Sequence, residues 1–219
     1  MTVFPNHPFW DFSLQIYMME GVGKACLELQ NAHDVDVNVL LFCLWVGTSG
    51  RGVLTTSQMQ ILIEAVDIWH KDIVRGLRAV RTGMKNSSFY EDGALTESVR
   101  QRIQKTEIDC EHIEQLILAA ALDLKADSKR SDNLCLKDAL SNMGTYLRTF
   151  TDISENDRKN VVYIAGPAFP RLVGDIYPIS LKMFGGLRVC SYTMRPRLRI
   201  YNSRNLRLNS KVYIITFEG

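Results

Sequence analysis

Apolar positions recur at spacings of three and four through most of the first 150 residues, the rhythm of helices that bury one face. In PFWDFSLQIYMME, Phe9, Phe12, Ile16 and Met19 share such a face. Gly21 and Gly23 punctuate the chain there, and Val22, Cys26 and Leu29 resume the pattern in a second helix. The stretch DVDVNVLLFCLWVG, residues 34–47, departs from it, because from Val37 to Val46 every side chain except Asn38 is apolar or cysteine. A segment apolar all round, with Asp36 placed to cap it, predicts a short helix enclosed by others. Asn38 then falls at the second helical position, beside backbone N–H groups that lack intrahelical partners. A buried amide without a partner costs ~1–3 kcal/mol, so the pattern predicts that Asn38 bonds a neighbouring helix end.

Three more helices follow. LTTSQMQILIEAVDIWHKDIVRGLRAVRTGMK opens on capping threonines and carries a core stripe of Leu62, Val66, Trp69, Ile73, Leu77, Val80 and Met84. After the loop SSFYEDGA, a second long segment repeats the pattern with Val99, Ile103, Cys110, Ile113, Ile117 and Leu124. SDNLCLKDALSNMGTYLRTF supplies the last, capped by Ser131 or Asp132. The expectation is a mainly α fold, a compact bundle of about six helices over residues 1–155. From residue 156 the chain turns rich in Gly, Pro and β-branched residues, and LRVCSYTM, RLRIY and KVYIITF read as short strands. Residues 156–219 are therefore expected to be a basic, β-rich or disordered extension, or else sequence read in an aberrant frame.

Charge sharpens this division. Residues 171–219 hold nine Lys/Arg and two Asp/Glu, whereas the first 170 hold seventeen and twenty-two, so a net charge of +2 conceals two regions of opposite sign. The composition, 46% hydrophobic and 23% charged, is that of a globular chain. The longest apolar run is about half of the ~20 residues that cross a bilayer, and the N-terminus lacks the basic start and cleavage site of a secretory signal. Five single cysteines with no C-x-x-C pair fit free thiols. The expected location is cytoplasmic, with no membrane association.

Motifs of catalysis are missing: the chain has no Walker loop, G-x-S-x-G or H-E-x-x-H. Two D-x-x-H pairs, Asp67 with His70 and Asp109 with His112, suggest the inward acid–imidazole pairs of di-iron bundles. Helical geometry argues against that, since His112 lies about 135° from the centre of its helix's apolar face at ~100° per residue. Both histidines are assigned to the surface, and no metal or cofactor is expected. Arg75, Arg78, Arg81 and Lys85 form a basic stripe on one long helix, and Glu107, Glu111 and Glu114 an acidic one on the next. Antiparallel packing would set them side by side as a partly solvated ladder that fixes which helices are neighbours; the alternative is an anion-binding or partner-binding surface.

The motifs PFWDFSLQIY, GVGKACLELQ, DVNVLLFCLWVG, DIVRGLRAVR and IQKTEIDCEHIEQLIL occur in that order. In this series the chain resembles an uncharacterised family of short, helical proteobacterial proteins with W-x-F-S-L-x-x-Y and D-V-N-x-L-L-F motifs, over residues 8–125 and up to 170. The resemblance implies a helical fold and supplies no mechanism, and its polar residues Asp11, Gln30 and Asn38, with Trp10, mark a candidate ligand or partner surface. The function expected is a non-catalytic interaction or scaffold protein that binds an unknown protein or itself. One alternative is nucleic-acid binding through Arg195, Arg197, Arg199, Arg204 and Arg207, interleaved with Tyr192 and Tyr201. Another is an enzyme of unrecognised type, which a deep pocket with convergent acids or histidines would favour.

Overall fold

The computed structural model describes residues 4–85 and 93–184. The order of elements is α1 (Pro8–Tyr17), α2 (Val22–His33), α3 (Val37–Thr48), α4 (Thr56–Ile68), a π-helical segment (Trp69–Val74), α5 (Arg75–Lys85), α6 (Gly93–Ala121), α7 (Asp132–Leu147), α8 (Glu155–Ala165), a 3₁₀ turn (Gly166–Ala168) and α9 (Val173–Phe184). Helix α4, the π segment and α5 run on as one rod, so the expected bundle of helices is present through α7. The chain is mainly helical, with no strand among the described residues.

Two helices stand where a β-rich extension was expected. Helix α8 opens on a capping box between Ser154 and Asp157, and it buries Val161, Ile164 and Ala165 at helical spacing. Helix α9 buries Ile176, Ser180 and Phe184 in the same way, with Pro178 inside it. β-Branched residues disfavour a helix by only a few tenths of a kcal/mol each, and burial of one face outweighs that. The three segments expected as strands, 187–194, 197–201 and 211–217, lie outside the described residues.

Helix α3 is the centre of the core, buried on every side from Asn38 to Gly47. Helix α7 runs antiparallel along it and clamps both of its ends. At one end the Tyr146 hydroxyl accepts a hydrogen bond from the Asp36 backbone N–H at 2.8 Å. At the other, the Asn142 side chain accepts from Leu54 N–H at 2.8 Å and donates to the Gly52 carbonyl at 3.0 Å. One turn further along α7, Gly47 meets Ala139 so closely that an added Cβ would stand 2.3 Å from the Ala139 backbone nitrogen.

The long helices depart from the expected register, and this positions the site. A π segment inserts one extra residue, which turns everything after it by about 100°. Leu62 and Val66 are buried as expected, but after the insertion the inward positions are Val74 and Arg81. Ile73 and Val80 are instead exposed, Val80 by 53%. The face of α6 follows suit. Its buried residues are Gln104, Glu107, Glu111, His112, Glu114, Gln115 and Leu118, whereas Val99 is exposed and Ile103, Cys110, Ile113 and Ile117 are only half-buried. With arginines turned inward on α5, the acidic side of α6 is the one that satisfies them, because an unpaired buried charge is costlier than half-exposed isoleucines.

Gly47→Ala is expected to lower the unfolding free energy by about 3 kcal/mol or more, because backbone atoms of Ala139 cannot yield as a side-chain tip can. Urea denaturation measures it; a loss below 1 kcal/mol would show that α3 and α7 separate readily.

Candidate functional site

The N-terminal end of α3 is where polar groups converge. Asp36 caps the helix, its Oδ1 accepting from Asn38 N–H at 2.7 Å. The Asn38 amide does bond a neighbouring helix, though at the middle of α6 and not at a helix end. Its Nδ2 donates to Glu114 Oε2 at 2.6 Å, and its Oδ1 accepts from Gln115 Nε2 at 2.7 Å. Gln115 Oε1 in turn accepts from the Ser13 hydroxyl on α1 at 2.9 Å. Three helices are thereby fixed by one amide chain in which each buried group is matched.

The arginine and glutamate stripes do face each other, but inside the protein. Arg78 donates to Glu107 at 3.0 Å, to Glu111 at 2.7 Å and to Gln30 of α2 at 2.8 Å. Arg81, buried, donates to Glu107 at 2.6 Å. The expected partly solvated ladder is thus a buried network, because the π insertion rotates both arginines off the surface. Arg75 stays on the outside and pairs at 2.5 Å with Asp34 of the α2–α3 link, not with the acidic stripe expected for it. Burial pushes the Glu111 carboxyl up to about 8, and its like-charged neighbours Glu107 and Glu114 add to this. Arg78 pulls the other way but is shared with Glu107, so burial prevails.

Glu114 pairs with neither arginine among these contacts. Its Oε1 lies 3.0 Å from His70 Nδ1, and Asp36 Oδ2 lies 3.2 Å from the same nitrogen. Burial alone would lower the His70 pKa, but the Glu114 hydrogen bond and the charges of Asp36 and Glu114 raise it. Burial, followed by the Glu114 charge, pushes the Asp36 carboxyl up to about 7. Neither histidine occupies the surface position expected for it. His70 sits in the π segment, turned between the two carboxylates, while Asp67 pairs with Lys71 outside at 2.7 Å. His112, only 7% exposed, is sandwiched between Trp10 and Phe4, with centroids 4.0 and 4.9 Å from its own. Helix α1 covers the side of α6 that the apolar pattern had marked as solvent.

Beside this network is a cavity of about 220 Å³, lined by Trp10, Tyr17, Gln30, Asn38, His70 and Arg78 among others. Asp36, Arg81, Glu111 and Gln115 also reach it. Of the residues singled out from sequence, Trp10, Gln30, Asn38, Arg78 and Arg81 therefore come together, whereas Asp11 and Arg75 are exposed outside. Arg195, Arg197, Arg199 and Arg204 lie outside the described residues. Sequence reasoning assigned Asp36 only a capping role, placed His70 on the surface and left Ser13, Gln115 and Tyr146 without a role. The signal available was Trp69–His70 inside an otherwise apolar stripe, where a one-residue change of register brings the imidazole in.

Asn38→Leu would leave Glu114 and Gln115 short of partners, and a loss of about 2 kcal/mol or more is expected, read as a drop of roughly 5 °C in Tm. The pH dependence follows from Glu111. Its folded pKa is raised from 4.5 to about 8, so the folded state holds a proton that the unfolded state gives up, and the stability this contributes is lost as pH rises. The Tm of chelator-treated protein should fall from about pH 5 to pH 8, between the unfolded and folded values, and Glu111→Gln should flatten that slope. A Tm that rises over this range would contradict the assignment.

Among curated proteins and solved structures, none matches the chain. One family model does, over residues 8–118, which span α1 to most of α6 and hold the cavity lining named here. On that match, covering half of its length, the chain belongs to the family described as Protein of unknown function (DUF2390).

Proposed function

We propose that the protein is a small-molecule-binding helical bundle, and that its ligand is a compact polar molecule held in the cavity between α1, α2, α3, α5 and α6. The observation that carries this reading is the convergence of Asp36, His70, Glu111 and Gln115 on one cavity. Replacement of a buried ion-pair network by apolar residues is commonly neutral or stabilising, so such a network is poor value as a stabiliser. Perturbed acids and an imidazole gathered at a cleft are instead the usual mark of a binding or reacting site. The volume equals about seven waters at ~30 Å³ each, the scale of a small metabolite.

The interaction reading, first from the sequence, stands second here, and a specific observation favours it. Ile61, Ile68, Ile73 and Val80 are exposed along the α4–α5 rod, Ile68 by 75%. Exposed apolar residues in a run along one element suit a protein partner. The ligand site and this face are on different surfaces of the rod, so both readings can hold together.

Saturation-transfer NMR against a panel of small amines, sugars, amino acids and carboxylic acids tests the first reading. Thr82 lines the cavity yet is exposed, so Thr82→Trp should plug it without disturbing the core. The expected result is a ligand bound by the wild type, with affinity at least tenfold weaker in Thr82→Trp and an unchanged Tm. No binding by the wild type, or equal binding by the variant, would overturn the reading.

A further inference from the structure

The three groups at the α3 end do more than line a cavity. Asp36, His70 and Glu114 each offer one ligand atom, and the three atoms lie within 4.8 Å of one another. They come from three separate places, the cap of α3, the π segment and the middle of α6. His70 Nδ1 is 3.2 Å from Asp36 Oδ2 and 3.0 Å from Glu114 Oε1. Ligand atoms bound to a common ion at about 2.0–2.2 Å are separated by roughly 3.0–3.5 Å, so the spacing already suits coordination.

A second observation points to a missing partner. Asp36 Oδ2 is buried and has no hydrogen bond. The Nδ1 of His70 carries at most one hydrogen, and its hydrogen bond is with Glu114, so the imidazole satisfies one carboxylate and not both. The outer oxygens are meanwhile already held. Asp36 Oδ1 takes the Asn38 N–H, and Glu114 Oε2 takes the Asn38 amide. One residue, Asn38, thus orients both carboxylates with their remaining oxygens toward the same imidazole nitrogen, the arrangement by which a second layer of hydrogen bonds aims metal ligands.

We infer that Asp36, His70 and Glu114 bind a divalent transition-metal ion, of the zinc or manganese class, with its open positions facing the cavity. Two carboxylates and a neutral imidazole carry a charge of −2, which such an ion balances, and an imidazole ligand favours a transition metal over magnesium. Asp36 and His70 line the cavity, so a molecule bound there can reach the ion. This deepens the ligand-binding reading by naming what would hold the ligand, yet it stands on its own geometry.

The test is calorimetric titration of Zn²⁺ and Mn²⁺ into chelator-stripped, tag-free full-length protein, with Tm followed in parallel. One ion per chain is expected at micromolar Kd or tighter, with a rise in Tm. His70→Gln and Glu114→Gln should each weaken binding at least tenfold, and Asp67→Asn, which alters only an exposed pair, should leave it unchanged. Should Glu114→Gln fail to fold, Asp36→Asn provides the same readout, and electron paramagnetic resonance of bound Mn²⁺ in the wild type reports nitrogen coordination directly. No stoichiometric binding by the wild type, or binding unaltered in His70→Gln, overturns the inference. The two readings separate cleanly. An ion bound by Thr82→Trp while the small-molecule panel is blank leaves the metal site standing alone, and a ligand bound equally well in chelator with no ion taken up removes only the metal.

Discussion

Glu114 is a carboxylate with no exposure to water, and the arrangement around it follows from the need to satisfy it. Stripped of hydration, such a group is tolerated only where donors reach it from nearby. They come from α3 through Asn38 and from the π segment through His70, so the relative positions of three elements are set by one side chain. Its helix carries further buried polar groups in the same direction, Gln104, Glu107, Glu111 and Gln115 among them. Packing of α6 is therefore governed by partner matching more than by apolar area, and slippage by one residue along α6 would break every one of these contacts.

The π segment is the device that makes this matching attainable. Without the extra residue, Ile73, Leu77 and Val80 would point inward and the arginines would lie on the surface. With it, Arg78 and Arg81 meet Glu107 and Glu111, and His70 is lifted between Asp36 and Glu114. Insertions of this kind cost hydrogen-bond regularity, and they recur where a side chain has to be aimed. The apolar residues displaced to the outside, Ile73 and Val80, are the counterpart of that aim.

This explains what was legible in the sequence. The helices up to α7 were, because their caps and breaks are local signals: the Thr55–Gln58 capping box, Asp36 as cap and the glycines near 21 and 50. The enclosure of α3 and the partnering of Asn38 were legible too, since an apolar run with one amide has few physical solutions. The register beyond Ile68 was not, because periodicity is read on the assumption of unbroken 3.6-residue turns, and the polar His70 beside the stripe was the one sign against it. The inward faces of α5 and α6, and with them His70 and His112, were lost to that one step. Helices α8 and α9 were misread for a different reason: their valines and isoleucines carry strand propensity, and only contact with α2 and α7 decides for helix.

The hydroxyl of Tyr146 has a reach that its position in the chain conceals. It lies 110 residues from Asp36 and beyond the segment that defines the family, yet it holds the backbone N–H of the residue whose side chain faces the cavity. Because coupling between binding and local order is reciprocal, whatever occupies the cavity and steadies Asp36 must also raise the free energy needed to detach α7 from α3. On the ligand-binding reading, the stability of α7 against α3 would serve as a gauge of occupancy for a cavity that α7 does not line.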